Sequence, residues 1–129
     1  NGMKIGIMIC ADFGFPELSR KYATAGVDVL AVTSSWAYPD DDLWVICNQA
    51  RSAENGIYVV SCDRTGPTSK GLVKVGRSMV CDPDGFILAN LVEKTDTYFV
   101  QTIYKSEVEK RHKNMRWLEW IRPEVYEKL

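Results

Sequence analysis

The 129-residue sequence has few of the features that mark nucleic-acid-binding or membrane proteins. Its formal net charge is −1, from 16 basic and 17 acidic residues, so no broad basic field is available to neutralise phosphates. Its apolar runs are far shorter than the roughly 20 residues that span a bilayer. We therefore expect neither nucleic acid nor a membrane among its partners.

Metal-binding patterns are also scarce. The single histidine, His112, is far in sequence from the cysteines at positions 10, 47, 62 and 81, and no two of these form a CxxC pair. Structural zinc sites need about four such ligands at short spacing. We expect no metal and no cofactor, and we expect Cys47, Cys62 and Cys81 to pack as small apolar residues.

The amino-terminal sequence has no pattern of a signal peptide. It opens on Asn1-Gly2, with no basic segment leading into an apolar one. Together with the unpaired cysteines this predicts a reduced, cytoplasmic setting. The lack of an initiator methionine predicts that the chain is a fragment or a processed product.

The composition, 46% hydrophobic and 26% charged, is typical of one soluble globular domain. Strand-like apolar runs and helical patterns alternate along it. The pattern predicts strands at 3–10, 27–33, 57–62, 77–81, 86–91 and 97–103, and helices at 16–26, 40–56 and 105–113. Alternating strands and helices followed by antiparallel strands predict an α/β fold with a mixed sheet.

Helical spacing predicts which side chains of the first two helices face the core. For the first helix the predicted apolar stripe is Leu18, Tyr22 and Ala25. For the second helix the predicted face consists of Leu43, Ile46, Cys47, Ala50 and Ala53. Trp44 is also expected to pack inside.

Cys10 is a candidate nucleophile because of its position. It ends the first predicted strand and precedes a helix that begins near Pro16, which is the usual place of a ligand crevice in an α/β sheet. The partial positive charge of a helix N-terminus favours thiolate over thiol. Backbone amides in this turn, including that of Ala11, are expected to be available as donors to a developing oxyanion. From position alone, a buried packing cysteine is the commoner outcome.

Several motifs in one order change this interpretation. The first motif is ICADFGFPE at 9–17, followed by AGVDVL at 25–30 and by Trp44 with ARSAEN at 50–55. Further along come GRS at 76–78 with DPDG at 82–85, and RPEVY at 122–126. This succession resembles the nitrilase superfamily of carbon–nitrogen hydrolases over nearly the whole chain. The resemblance implies that Cys10 is the nucleophile of a thiol amidohydrolase.

The resemblance also implies a fold and a mechanism. The fold would be half of an α-β-β-α sandwich, with helices on one face of a mixed sheet. In the superfamily a cysteine thiolate attacks an amide or nitrile carbon, and a glutamate and a lysine complete the triad. Both lie upstream of the cysteine, where this sequence has only nine residues, so neither role is assigned to a residue here. Residues 1–129 would thus be the carboxyl-terminal portion of the domain, needing the missing amino-terminal half, with 114–129 as a tail.

Three residues after the second strand are the predicted substrate pocket. Ser34, Ser35 and Trp36 follow that strand on the same edge of the sheet as Cys10. Trp36 is equally compatible with a loop anchor. The pocket is expected to receive a small-molecule amide or nitrile.

The residues after Cys10 bear on the choice of substrate. Similar nitrile-specific enzymes usually carry Trp-Glu where this sequence has Ala11-Asp12, which favours amides. Similar carbamoyl-amino-acid hydrolases carry arginines at the positions of Phe13 and Gly14, so one anchor for a substrate carboxylate is absent. We expect the amide of a small or moderately apolar acid, cleaved with release of ammonia.

Two other functions are compatible with the sequence. Without the glutamate and lysine, the chain is compatible with a non-catalytic fragment or interaction module. A different cysteine hydrolase would use His112 as its base. Asp12 is equally compatible with a role in the active site and with capping of the following helix. Glu17 and Arg51 are expected to be structural.

The carboxyl-terminal tail carries three aromatic residues, Trp117, Trp120 and Tyr126. Aromatic side chains are enriched at interfaces, so they predict contacts in a homodimer or higher homo-oligomer.

Overall fold

The computed structural model of the protein describes residues 2–92 and 95–126. The strands within these residues are β1 (Ile5–Ile9), β2 (Val29–Ser34), β3 (Tyr58–Asp63), β4 (Met79–Cys81) and β5 (Ile87–Asn90). The helices are α1 (Pro16–Thr24), α2 (Asp41–Ala53), α3 (Lys105–Asn114) and α4 (Pro123–Tyr126), with short 3₁₀ helices at Cys10–Gly14 and Trp117–Trp120. The last helix, α4, ends at Tyr126. Residues 127–129 of the predicted 114–129 tail lie outside the described residues.

The strands form one mixed sheet in the order β1-β2-β3-β4-β5. β1, β2 and β3 are parallel, because α1 and α2 carry the chain back between them, whereas β4 and β5 follow as an antiparallel hairpin. Ile9, Thr33 and Cys62 are level at the carboxyl end of the parallel strands. The prediction of an α/β fold with a mixed sheet is confirmed.

One face of the sheet is covered and forms the core. Met8, Leu30 and Val59 are fully buried on this face, and the Tyr22 ring of α1 lies so close to Gly6 that a Cβ there would approach it to 2.8 Å. Trp44 of α2, also fully buried, extends the same core. The two crossover helices therefore share one face, as predicted.

The opposite face is open along β1. Ile5, Ile7 and Ile9 are 63%, 62% and 63% exposed, in strict alternation with buried Gly6 and Met8. Isolated exposed apolar residues are ordinary, but a row of three on one strand is the pattern of a surface that packs on another layer. This is the arrangement expected of one half of a two-sheet sandwich.

The predicted strand at 97–103 is wrong. In the described structure this segment has no strand assignment, and Tyr98 and Val100 are 85% and 87% exposed. Only Phe99 and Ile103 pack against the core. β-rich residues form a strand only where a neighbouring strand accepts their backbone hydrogen bonds, and here the chain reaches α3 without pairing.

The predicted core faces of α1 and α2 are only partly right: Tyr22 packs against the core and Cys47 is buried, but the large aliphatic side chains of both faces lie outside. Leu18, Leu43 and Ile46 are 36%, 49% and 59% exposed. The buried positions are instead mostly small or polar: Ser19 and Ala23 on α1, and Trp44, Cys47, Asn48, Arg51 and Ser52 on α2. Burial of polar side chains is tolerated because most of them form hydrogen bonds, described below.

Across the described ranges, each helix is too short or too polar to cross a lipid bilayer.

Candidate active site

Cys10 lies in a sharp turn at the carboxyl end of β1. It is the first residue of the 3₁₀ helix Cys10–Gly14, here called the nucleophile turn, and has a φ of 48°. A left-handed backbone costs a non-glycine residue roughly 1–2 kcal/mol. Such strained residues persist where the surrounding structure imposes them, and they cluster at active sites. The turn leaves Cys10 half-buried, between the core and solvent.

Contacts on both sides hold the nucleophile turn. The Asp12 carboxylate accepts the backbone N–H of Ile9 at 3.2 Å, so Asp12 caps the turn. The Phe13 side chain is fully buried and packs edge-on against Trp44, with ring centroids 5.6 Å apart. At the end of the turn, Arg51 of α2 donates to the carbonyl of Gly14 at 3.1 Å. These contacts fix the position of Cys10 without involving its thiol.

Cys10 opens into a cavity of about 400 Å³ between the nucleophile turn and the start of α2. The lining residues are mainly apolar: Cys10, Ala11, Gly14, Phe15, Trp36, Ala37, Asp40 and Leu43. Ala11 is the second residue of a 3₁₀ helix, and the first amides of a helix have no acceptor within it. Ala11 lies on the cavity wall, and its role as donor to an oxyanion stays a prediction.

The three predicted pocket residues have different positions. Trp36 lies on the cavity wall with Cys10. Ser34 and Ser35 are not part of this lining. The Ser34 hydroxyl is buried without a hydrogen-bond partner among the described residues, and the Ser35 carbonyl accepts Lys74 Nζ at 2.6 Å. The structure therefore joins Trp36, but neither serine, to the Cys10 cavity.

Asp63, which the sequence analysis did not select, organises the same edge of the sheet. It ends β3, is 3% exposed, and its two carboxylate oxygens accept the backbone N–H groups of Trp36 and Gly76, each at 2.8 Å. The signal that selected Cys10 applies to Asp63 as well, since both are chemically active residues at the carboxyl end of a buried parallel strand.

Arg51 and Glu54 are structural, as predicted for Arg51. Arg51 is 8% exposed and pairs with the Glu54 carboxylate at 3.1 Å while it holds Gly14. Asn55 is buried and donates to the Ser19 hydroxyl at 3.3 Å and to the Arg51 carbonyl at 2.8 Å. The polar end of α2 is thus tied to the start of α1 and to the nucleophile turn.

His112 lies at the other end of the sheet. Its Nε2 is 3.1 Å from the carbonyl oxygen of Asn55, just before β3 begins, whereas Cys10 follows the end of β1. The two ends of β1 differ by four residues, or roughly 13 Å at about 3.3 Å per residue. A Cys10–His112 dyad is therefore not formed, and the His112 hypothesis is wrong.

The other three thiols have two kinds of environment. Cys47 and Cys81 are buried as predicted, and burial raises the pKa of both, that of Cys81 to about 12. Cys62 is exposed, which corrects the prediction that it packs in the core. It lies on the open face of the sheet, level with Ile9, where no helix covers it.

A second cavity of about 570 Å³ involves the tail. Trp117, Trp120 and Tyr126 line it opposite Pro16, Glu17 and Arg20 of α1. The three aromatic rings are 44%, 66% and 63% exposed. The predicted oligomer contact through these rings stays a prediction. Within the part of the chain that the structure describes, no three His, Cys, Asp or Glu side chains are grouped so that they could hold a metal ion.

Comparison with known proteins agrees with this geometry. The carbon–nitrogen hydrolase family profile matches residues 1–113. A probable nitrilase of Schizosaccharomyces pombe is 33% identical over 127 residues, covering 98% of this chain and 46% of its own. A deaminated glutathione amidase of Synechocystis is 41% identical over 91 residues, covering 70% of this chain and 34% of its own. The chain therefore belongs to the carbon–nitrogen hydrolase family.

A solved structure of an amidase agrees as well. A variant of the Nesterenkonia sp. AN1 amidase, which carries the acetamide moiety of fluoroacetamide on its active-site cysteine, superposes with a TM-score of 0.78. It is 27% identical to this chain and is matched over 98% of this chain and 44% of its own. The chain spans about half or less of the length of these relatives.

Proposed function

We propose that this chain supplies the nucleophile of a thiol amidohydrolase, in which Cys10 cleaves the amide of a small acid and releases ammonia. The observation that carries the proposal is the position of Cys10. A strained cysteine at the end of a parallel strand borders an apolar cavity, in a chain of the carbon–nitrogen hydrolase family. In the Nesterenkonia amidase the active-site cysteine carries a covalently added acetamide moiety, which supports a nucleophilic role for Cys10 here.

The proposed reaction has two halves. In the first, the Cys10 thiolate forms a bond to the amide carbon, the C–N bond breaks, and the leaving nitrogen takes a proton to depart as ammonia. In the second, water adds to the thioester, the C–S bond breaks, and the free acid leaves. The sum is amide plus water giving acid plus ammonia, with no oxidant or cofactor required.

The chain's own residues supply part of this chemistry. The Ala11 N–H is the proposed donor to the tetrahedral oxyanion, a contribution of roughly 10²–10³-fold for one such donor. The proposed pocket wall consists of Trp36 with Ala37 and Leu43, which suits an apolar acyl group. Ser34 and Ser35, which do not line the cavity, are proposed only to shape the loop that carries Trp36.

The surroundings of Phe13 and Gly14 favour a substrate amide that has no carboxylate group near the nucleophile turn. The Phe13 ring is fully buried against Trp44, and Gly14 lines the cavity without a side chain. None of the described residues that line the Cys10 cavity carries a cationic side chain that could bind an anionic group. An uncharged amide of a small, moderately apolar acid fits it better than a carbamoyl amino acid does.

We further propose that the glutamate and lysine of the triad come from a complementary half of the same protein. The open row formed by Ile5, Ile7 and Ile9 is the surface on which that half would pack. The alternative function, a non-catalytic interaction module, draws on the same open face. The isolated chain is expected to self-associate in ultracentrifugation, and a monodisperse monomer of 14.6 kDa would contradict this proposal.

Ammonia release by the full-length protein tests the catalytic proposal. A panel of short amides and nitriles is compared for the wild type, Cys10→Ala and the matched control Cys62→Ala, which removes a second thiol at the carboxyl end of a parallel strand but outside the cavity lining. We expect release from amides to fall by at least about a thousandfold in Cys10→Ala and to persist in Cys62→Ala. Equal losses in both variants, or no release by the folded wild type, would favour the interaction module.

A further inference from the structure

The carboxylate of Asp63 joins two loops at the edge of the Cys10 cavity. Asp63 is 3% exposed, and its Oδ1 accepts the Trp36 N–H while its Oδ2 accepts the Gly76 N–H, both at 2.8 Å. Its own N–H donates to the Ser78 hydroxyl at 3.0 Å. A buried carboxylate is costly unless hydrogen bonds compensate it, so this arrangement specifies where the two amides lie.

The backbone of Trp36 is held on both sides as a result. Its N–H donates to Asp63, and its carbonyl accepts the Val75 N–H at 3.0 Å. Its ring packs 5.4 Å from the ring of Trp44, whose Nε1 donates to the Arg77 carbonyl at 2.7 Å. Trp36 is therefore fixed by Asp63 and the β3–β4 connection, while Cys10, which lines the same cavity, is fixed by the nucleophile turn.

We propose that Asp63 is a positioning residue of the amidase site, acting through Trp36 to set the width of the cavity opposite Cys10. This inference rests on the proposed amidase function. Asp63 does not line the Cys10 cavity, so it exerts its effect only through the peptide of Trp36. Its role is to fix the acyl side of the pocket and not to take part in proton transfer.

Asp63→Asn separates this role from nucleophile activation. Asparagine has one acceptor oxygen in place of two, and its NH₂ cannot accept, so one of the two loop amides loses its partner. We expect KM for butyramide and longer amides to rise about tenfold or more, because displacement of a positioning group by about 1 Å can cost up to 10²-fold. The rate of Cys10 alkylation by iodoacetamide should stay within about twofold of the wild type, because Asp12 and Arg51 hold the nucleophile turn separately.

A double-mutant cycle with Trp36→Ala tests whether Asp63 acts through Trp36. If it does, Asp63→Asn has little further effect on KM once Trp36 is removed. The matched control is Asp28→Asn. Asp28 is also buried and accepts a backbone N–H, that of Lys4 at 2.7 Å, but it precedes β2 at the opposite end of the sheet. Equal losses for short and long amides, additivity with Trp36→Ala, or the same KM pattern in Asp28→Asn would overturn the proposal.

Amide hydrogen exchange gives a reading that is independent of activity and of any variant. In the full-length wild type, the amides of Trp36 and Gly76 should exchange as slowly as the strand amides of β2, because Asp63 accepts both. Fast exchange of these two amides, like that expected for the exposed residues Ser69 and Lys70, would overturn the positioning role. If the wild type cleaves no amide but these amides are protected, the amidase proposal fails while the Asp63 contacts stand.

Discussion

Arg51 Nη2 donates to the carbonyl oxygen of Gly14 at 3.1 Å, which ties the last turn of α2 to the residue that ends the nucleophile turn. The same guanidinium pairs with Glu54 at 3.1 Å and is 8% exposed as a residue. A residue 37 positions away in sequence thus holds the backbone next to Cys10. This connection makes the site dependent on the polar end of α2.

Replacing Arg51 with lysine should therefore weaken both the fold and the site. Lysine has a single ammonium group and cannot reach Gly14 and Glu54 in the planar geometry of the guanidinium. We expect the free energy of unfolding in urea to fall by about 2 kcal/mol. The exposed Arg116, paired with Glu119, is the matched control, and Arg116→Lys should change stability by no more than about 0.5 kcal/mol. Equal effects of the two substitutions would contradict the structural role of Arg51.

Trp44→Phe should destabilise the protein by about 2 kcal/mol. It removes the Nε1 donor that binds the Arg77 carbonyl at 2.7 Å, and it shortens a fully buried ring that packs against both Phe13 and Trp36. Thermal unfolding monitored by circular dichroism measures the loss. The control is Trp120→Phe, at a ring that is 66% exposed, for which the melting temperature should hardly change.

Cys10→Gly should give a protein more stable than Cys10→Ala by about 1 kcal/mol. The φ of 48° at Cys10 strains an alanine there but not a glycine. Both variants lack the thiol and should be equally inactive, so the comparison isolates the backbone cost of placing the nucleophile. Chemical denaturation of the two variants provides the measurement, and equal midpoints would show that the turn relaxes when the thiol is removed.

The buried Cys81 thiol should make stability fall at alkaline pH. Burial raises its pKa from 9.0 to about 12, so the folded protein retains a proton that the unfolded chain releases. The corresponding stability is fully present below about pH 9 and is lost as the pH rises towards about 12, at up to about 1.4 kcal/mol per pH unit. Urea denaturation between pH 8 and pH 10.5 should show a shallower decline for Cys81→Ala than for the wild type. Parallel declines would contradict the prediction.

Much of the fold could be predicted from local patterns. The order of strands and helices, the hairpin around Asp84 and the helix beginning at Lys105 follow from apolar periodicity and turn residues, because these patterns depend on neighbours close in sequence. The side chains of α1 and α2 that face the core could be predicted only in part in this way. Leu43 and Ile46 satisfy helical spacing but lie outside, because the inward side of α2 carries side chains that bond to distant backbone groups. One such bond is from Ser52 to the Asp82 carbonyl at 2.5 Å.

The candidate site likewise has features that local sequence patterns predict and features that depend on contacts between distant residues. The family, the candidate nucleophile Cys10 and the sheet edge on which it lies could all be predicted from local sequence, because a strand followed by a turn and a helix is encoded by consecutive residues. The assembled fold was needed to show that Trp36, and not its neighbouring serines, lines the cavity with Cys10, that Asp63 holds Trp36, and that His112 lies at the far end of the sheet. Those relations join residues 26 or more positions apart, through hydrogen bonds and burial that exist only once the sheet is assembled.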